Sequence, residues 1–583
     1  MTKPKKIIND PEKAVEEFIS GLLLQYPNRL VKLANHNVLL TSEPSDTVQL
    51  LSGGGSGHEP SMAGWIGNGM LSGAICGGIF ASPSVAAVLA AVRAAAVGNK
   101  NGVLLIVMNY TGDRLNFGMA CERANQEGIP CRMVVVADDT ALERTKGITG
   151  ARGVAGTVFV HKIAGAAAKA GKSMTEIVDL VAEVNSRVGT LGVALDSVTV
   201  PGAATINDRL DSATIEIGLG IHGEAGMRQS PLLTANEIAK EMIETICNHG
   251  RSMVADNKVV PLFGKGDDLC VLVNNLGGTS NFEMSILANA CVTALEKEHG
   301  CKVSRLIVGS YMTSFDMHGA SLTILNLSGA SNDLVTFLDD PCDAPAWLKC
   351  DISKTESRPS LKERPEVVVD EEKVEATLPP ISMENFSTTA KSLVLKAAKT
   401  LAEQEAILTK YDTIVGDGDC GITMKRGATE VETRLNNGTI PTDHPVTMFA
   451  AIADAVSASM GGTSGVLLEL MFRKISSTLS RFERIATVEM CMAFQAGVEA
   501  ISLYGGATVG SRTMLDALVP AATALVDTCD LKETAIKAKA GADGTAQMKA
   551  ASAGRSNYLS AESLDGTPDP GAIAVSIVME AIS

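Results

Sequence analysis

The sequence predicts a multi-domain chain: an N-terminal α/β domain joined by a linker to a C-terminal all-α helical bundle or barrel. Three observations carry this. Short apolar runs alternate with helix-like segments from about Thr47 to Leu327; a stretch rich in Asp, Glu, Lys and Pro follows; helix-period segments then continue to the end without strand-like alternation. The resulting boundaries are residues 6–338, a linker over 339–387, and a helical unit over 388–583.

In the first unit the strand candidates are VQLL, GVLLIVMNY, CRMVVVAD, GTVFVHK, TIEIGLG, LCVLVNN, RLIVGSY and SLTILNL. Several are nearly continuous in Val, Ile and Leu, as in strands covered on both faces. PSVAAVLAAVRAAAVG reads as a helix, with Pro83 near its start and Gly98 after its end. SRPSLKERPEVVVDEEKVEATLPP has the composition of a tether. In the second unit, helices are predicted over 388–408, 422–435, 445–460, 465–480, 487–504, 513–528, 531–551 and 570–582.

Composition narrows the function classes. At 583 residues the chain exceeds one ordinary core. Hydrophobic residues at 45% and charged residues at 20% suit globular units. Lys plus Arg total 50 against 66 Asp plus Glu, and the net charge of −16 opposes general attraction to nucleic acid or an anionic membrane. The 12 cysteines are scattered without a CxxC pair, which fits a reducing compartment. No run approaches the roughly 20 apolar residues of a membrane span, and MTKPKKIIND lacks the apolar stretch of a signal peptide. A cytosolic protein is expected.

The helical half carries unusual loops: GDGDCG (Gly416 to Gly421), GGTSG (Gly461 to Gly465), GGATVGSRT (Gly505 to Thr513), and the stretch from Ser552 to Gly571. They join predicted helices one to two, three to four, five to six and seven to eight. In an up-and-down bundle all four lie at one end. Asp412, Asp417 and Asp419 supply hard oxygen ligands suited to Mg2+ that keeps phosphate in its shell. For an isolated DGD, a solvated turn is the simpler reading. Thr463 with Ser464, Thr513 with Met514, and Asp569-Pro570-Gly571 stand at predicted helix starts, where free N–H groups and the dipole favour anions. Gathered at one end, they point to a nucleotide phosphate site organised by metal ions. GAAAKAGKS is not a Walker A loop, and no glycine loop pairs with HRD and DFG, so ATP chemistry here requires another fold.

In the α/β half, GGGSGHEP (Gly53 to Pro60) can form a nest of amides, with His58 either binding a ligand or capping the loop. GLGIHG (Gly218 to Gly223) matches GxGxxG after TIEI and raises a Rossmann-type NAD-dependent oxidoreductase as an alternative. The next clear helix begins only near Thr234, so the last glycine does not open one. His222 is then available for another task, although a lone His is more often structural.

GGGSGHEP, NYTGDRLNFG (Asn109 to Gly118), GLGIHGEAG, GDGDCG and DPGA, in this order from about Lys6 to Ile582, resemble the dihydroxyacetone kinase family. The resemblance implies an α/β triose-binding domain and an all-α ATP-binding domain. It implies that a ring nitrogen of His222 adds to the carbonyl of dihydroxyacetone or glyceraldehyde, giving a covalent hemiaminal that glycerol cannot form. Gly55, Ser56, Gly57, His58 and Met108 would line the triose, and Asp113 would accept the proton of the hydroxyl being phosphorylated. In the helical half it implies two Mg2+ on Asp412, Asp417 and Asp419, bridging the ATP phosphates. Contacts to ATP would come from Asp417, Gly418, Asp419, Cys420, Thr463, Ser464, Gly505, Thr513, Met514, Asp569, Pro570 and Gly571. Met108 stands where the family often has Lys, and Ser511 where it commonly has Asp. A homodimer is implied, and so is the second reaction of the animal members: cleavage of FAD to AMP and riboflavin cyclic 4',5'-phosphate with Mn2+ or Co2+. A non-catalytic adaptor that keeps a kinase-like body is a further alternative.

Overall fold

The computed structural model describes residues 5–142, 150–203, 210–248, 260–347, 378–553, 564 and 566–583. The chain divides into two units, Met1–Val367 and Val368–Ser583. Residues 348–377 of the tether-like stretch and 554–563 of the last long loop lie outside the described residues.

The first unit contains two six-stranded sheets. One joins β1 (Leu30–Lys32), β2 (Val38–Thr41), β3 (Gln49–Ser56), β4 (Gly73–Ile79), β5 (Val103–Met108) and β6 (Cys131–Val136) in the order β1-β2-β4-β3-β5-β6. β3 is parallel to β4 on one side and to β5 on the other. The chain order reverses at β3, the position at which open α/β sheets place a crevice beyond the C-terminal ends of their strands. The other sheet joins β7 (Val188–Ala194), β8 (Thr214–Ile217), β9 (Arg228–Pro231), β10 (Asp268–Asn275), β11 (Lys302–Gly309) and β12 (Gly319–Asn326) in the order β11-β10-β12-β7-β8-β9. Only β10 and β11 pair in parallel there.

Alternation along the strands explains the continuous apolar runs. From β5, Leu104, Ile106 and Met108 join a core between the sheets, whereas Val103, Leu105 and Val107 pack with α2 (Val85–Ala95) and α3 (Thr111–Gln126). β10 repeats the division: Cys270 and Leu272 join the central core, and Leu269, Val271 and Val273 pack with α6 (Ala235–Asn248) and α7 (Asn281–Lys297). The central layer is made by α1 (Ala14–Gln25), α4 (Thr157–Lys169), α5 (Met174–Arg187) and α8 (Asn332–Asp339). Val158, Phe159, Val160 and Ile163 of α4 are fully buried. This corrects the strand predicted at GTVFVHK. A helix buried on all sides has no polar face, so its short apolar run cannot be told from a covered strand.

The named elements of the second unit, apart from one short 3-10 turn, are the helices α9 (Phe386–Glu403), α10 (Glu405–Val415), α11 (Cys420–Asn436), α12 (Pro445–Ser459), α13 (Gly462–Leu479), α14 (Thr487–Gly505), α15 (Leu515–Thr528), α16 (Leu531–Gly544) and α17 (Pro570–Ile582). The first predicted helix is therefore two, broken at Gln404, and α16 stops short of Ala551. α9 and α11 to α17 form a closed ring, each helix packing on the next and α17 returning to α9, while α10 leans on α11 and α17. At one pole Met383, Val446, Ile485 and Ile582 share a cluster, and His444 Nε2 donates to Pro379 O at 2.8 Å. The GDGDCG, GGTSG and GSRT loops and the approach to Asp569 belong to the opposite pole. Among the described residues, no helix is long and apolar enough to cross a membrane.

Candidate active site

His58 closes the turn after β3 and is 1% exposed. Its Nδ1 donates to Thr313 O at 2.9 Å, and its Nε2 lies 3.2 Å from Nε2 of His222. His222 belongs to the connection from β8 to β9. Its Nδ1 is 2.9 Å from Glu224 Oε1, and its backbone N–H donates to Glu224 Oε2 at 3.0 Å. His58, Phe80 and Tyr110 stand edge-on to the His222 ring at centroid distances of 4.8, 5.0 and 4.8 Å. Three rings and one carboxylate thus hold this imidazole in a single orientation.

Burial, and next the charge of His222, pushes His58 down to about 3. Burial also pushes Glu224 up, but the hydrogen bond and charge of His222 outweigh it and hold the carboxyl at about 2. A histidine kept neutral by folding contributes stability above its ordinary value of 6.5, and this is lost as pH falls from there toward about 3, because the unfolded chain takes the proton first. The urea midpoint of the native protein should fall across that interval, and the fall should shrink in His58→Asn.

The turn before His58 is built around close backbone approaches. A Cβ on Gly55 would stand 2.6 Å from Ala81 N and 2.7 Å from Phe80 C. One on Gly57, at φ +122°, would stand 2.6 Å from the rings of both Phe80 and Phe315. Because the obstacle at Gly55 is backbone, Gly55→Ala should destabilise the protein by about 1–3 kcal/mol in urea titrations. Ser56 Oγ donates to Gly77 O at 2.8 Å, so its hydroxyl proton is engaged within the fold. Asp113, in the first turn of α3, is 4% exposed, and its Oδ1 is buried without a hydrogen-bond partner. Burial pushes its carboxyl up, against the pull of a Ser82 hydrogen bond and the His222 charge. Met108 ends β5 and is buried in the central core.

In the helical unit, Asp412, Asp417 and Asp419 each bring a carboxylate oxygen within 4.8 Å of the others. Asp412, in the last turn of α10, is buried, and its Oδ2 accepts the N–H groups of Asp419 at 2.8 Å and Cys420 at 2.9 Å. It therefore caps α11 and ties down the loop that carries the other two. A Cβ on Gly416 would overlap Asp412 Oδ1. This hard, all-oxygen donor set fits Mg2+. Burial, then the surrounding carboxylates, pushes the Cys420 thiol up to about 12.

Two other helix starts differ from the expectation of free amides. Asp516 accepts from Gly510 N–H at 2.6 Å and Thr513 N–H at 2.8 Å, and Asp569 accepts from Ala572 N–H at 2.8 Å. Asp569 thus caps α17, whereas Asp516 ties down the loop that leads into α15, whose first amide, Leu515 N–H, donates to Thr513 Oγ1 at 3.2 Å. The start of α13 has no side-chain cap, and Thr463 and Ser464 lie in its first turn. Gly505 ends α14. A Cβ on Gly571 would stand 3.6 Å from Met514 Cβ, so the starts of α15 and α17 adjoin. Arg512 is 1% exposed and its Nη2 donates to Thr567 O at 2.6 Å. Burial pushes Asp569 up to about 6, opposed by Arg512 and reinforced by Asp516 and Asp412.

Two family models match the chain, the Dak1 domain over residues 20–346 and the DAK2 domain over 414–583. The triokinase/FMN cyclase of Bos taurus is 39% identical over 592 residues, covering 99% of this chain and 98% of the relative. The chain belongs to the dihydroxyacetone kinase family. The dihydroxyacetone kinase of Komagataella pastoris is 34% identical over 600 residues, covering 97% of this chain and 96% of that one. Among solved structures, the dihydroxyacetone kinase from C. freundii in complex with AMP-PNP and Mg2+ is similar at a TM-score of 0.66, with 32% identity and 99% of both chains covered.

In this dihydroxyacetone kinase family member, His58, His222 and Asp113 gather at the crevice, and Asp412, Asp417 and Asp419 at the junction of α10 and α11. GLGIHG joins β8 to its antiparallel neighbour β9 and opens no helix, which removes the dinucleotide-binding alternative. Glu224, Tyr110, Arg512 and Asp516 carry no functional signal of their own in the sequence, although the first three stand inside GLGIHGEAG, NYTGDRLNFG and GGATVGSRT. Phe80, Thr313 and Phe315 come from segments with no local signal. They reach His58 and Gly57 only through the tertiary fold.

Proposed function

We propose that this protein transfers the terminal phosphoryl group of ATP to dihydroxyacetone and glyceraldehyde, the first unit capturing the triose and the second holding the nucleotide. The observation that carries the reading is the relay from Thr313 through His58 and His222 to Glu224. With Thr313 O and Glu224 each taking an Nδ1–H, the two facing Nε2 atoms share a single proton. His222 Nε2 adds its lone pair to the substrate carbonyl carbon while the shared proton, passed through His58, goes to the carbonyl oxygen. The product is a hemiaminal whose imidazolium ring is neutralised by Glu224 at 2.9 Å. Asp113, with its unpartnered buried oxygen, takes the proton from the hydroxyl that attacks the phosphorus. Gly55, Gly57 and Met108 shape the pocket, and Ser56 holds the turn.

Asp412, Asp417 and Asp419 would hold two Mg2+, which when bound neutralise charge on the ATP phosphates. The uncapped amides of α13, with Thr463 and Ser464, seat a phosphate oxygen. Gly418, Cys420, Gly505, Thr513, Met514, Asp569, Pro570 and Gly571 line the rest of the nucleotide site. The units are read as residues 6–338 and 388–583 with a tether over 339–387, in a cytosolic homodimer. FAD is the second substrate of the nucleotide site: a ribityl hydroxyl attacks phosphorus and AMP leaves, giving riboflavin cyclic 4',5'-phosphate, with Mn2+ or Co2+ preferred. The FMN cyclase in the name of the Bos taurus relative supports the cyclising reaction.

Supplied with ATP and Mg2+, the protein should phosphorylate dihydroxyacetone and glyceraldehyde and leave glycerol untouched, as read by coupled ADP release. Comparable turnover of glycerol would show that the carbonyl is not the recognised group.

A further inference from the structure

We infer that Cys491 and Cys529 are an oxidation-responsive dithiol that closes to an intramolecular disulfide between α14 and α15. Their Sγ atoms are 3.7 Å apart, with the Cys491 S–H directed at Cys529 Sγ. The two thiols are unlike in a useful way. Cys491, near the start of α14, is 4% exposed, whereas Cys529 is exposed and ends α15 in a left-handed backbone conformation at φ 53°. A dissolved oxidant therefore meets Cys529 first, and the buried sulfur is already in place to resolve the product. Burial, then the contact with Cys529, pushes the Cys491 thiol up to about 12.

With hydrogen peroxide the steps balance. The Cys529 thiolate attacks one peroxide oxygen, the O–O bond breaks, and sulfenic acid and hydroxide result. Cys491 sulfur then attacks the sulfenic sulfur: the S–S bond forms, the S–O bond breaks, and the departing hydroxide takes a proton to leave as water. Two thiols have lost one electron each, and one peroxide has become two waters. α14 and α15 are neighbours in the ring and are joined at their other ends by the Gly505 to Thr513 loop. The bridge would close this hairpin at its open end, away from Asp412, Asp417 and Asp419. A second pair of nearby cysteines, Cys121 and Cys131, has no exposed member, and Cys121 Sγ donates to Cys131 O instead.

The test uses the full-length reduced protein, treated with stoichiometric hydrogen peroxide, alkylated, and digested without reductant for mass mapping. One cross-linked pair of peptides, containing Cys491 and Cys529 and two hydrogens lighter than their sum, is expected. It should vanish in Cys529→Ser, at an exposed position that tolerates the change, and on dithiothreitol treatment. The thermal midpoint should rise on oxidation in the native protein but not in Cys529→Ser. Recovery of Cys529 as sulfinic acid, as an alkylated thiol, or bridged to another chain, with Cys491 unmodified, would overturn the inference.

Discussion

His222→Ala should lower turnover of dihydroxyacetone on the order of a thousandfold or more, since it deletes the atom proposed to capture the carbonyl and leaves the proposed relay without its acceptor. The nucleotide site shares no atom with this residue, so Mg2+-dependent ATP binding should be unchanged by calorimetry. The second readout is specific to covalent capture. In the native protein, the carbonyl resonance of dihydroxyacetone labelled at that carbon should move from the ketone to the tetrahedral range in 13C spectra. In His222→Ala it should stay where it is in free solution. Glu224→Gln should retain a weakened tetrahedral signal, because the ring is still positioned but the cationic adduct has lost its counter-charge.

Asp417→Ala should lower kinase turnover on the order of a thousandfold as well, by removing one of three converging carboxylates. Here the pattern inverts. The tetrahedral 13C signal should persist at full strength, while ATP binding in the presence of Mg2+ is lost and FAD cleavage falls with it. If FAD cleavage survives, the two reactions do not share one metal site. Asp417 is the better choice for this test than Asp412, whose Oδ2 also caps α11, so that Asp412→Ala would loosen the loop itself.

The sequence carried the class of both halves and the acidic cluster, for identifiable physical reasons. Strands such as β5 are covered on both faces and so print as unbroken apolar runs, and the amphipathic helices of the second unit print their period. α4 failed for the same reason that β5 succeeded: total burial erases the alternation that tells the two apart. The metal candidates were legible because all three lie between Asp412 and Asp419. The pairing of His58 with His222 was not, because it joins residues on different sheets and is oriented by Thr313 and Glu224, each placed by its own loop. Helix starts were legible as starts, but the hydrogen bonds that hold them were not. Asp516 looks like an ordinary first-turn acid until its oxygens are found on the amides of Gly510 and Thr513.

Because α17 returns to pack on α9, with Met383 and Ile582 in one cluster, the two termini of the helical unit are neighbours. Its chain order is then a convention of the gene more than a demand of the architecture. A circular permutant that splices Ser583 to the residues preceding Phe386 and opens instead between α13 and α14 should preserve the pole that carries Asp412, Asp417 and Asp419. Covalent continuity could thus be cut and rejoined at the far pole without disturbing the chemistry.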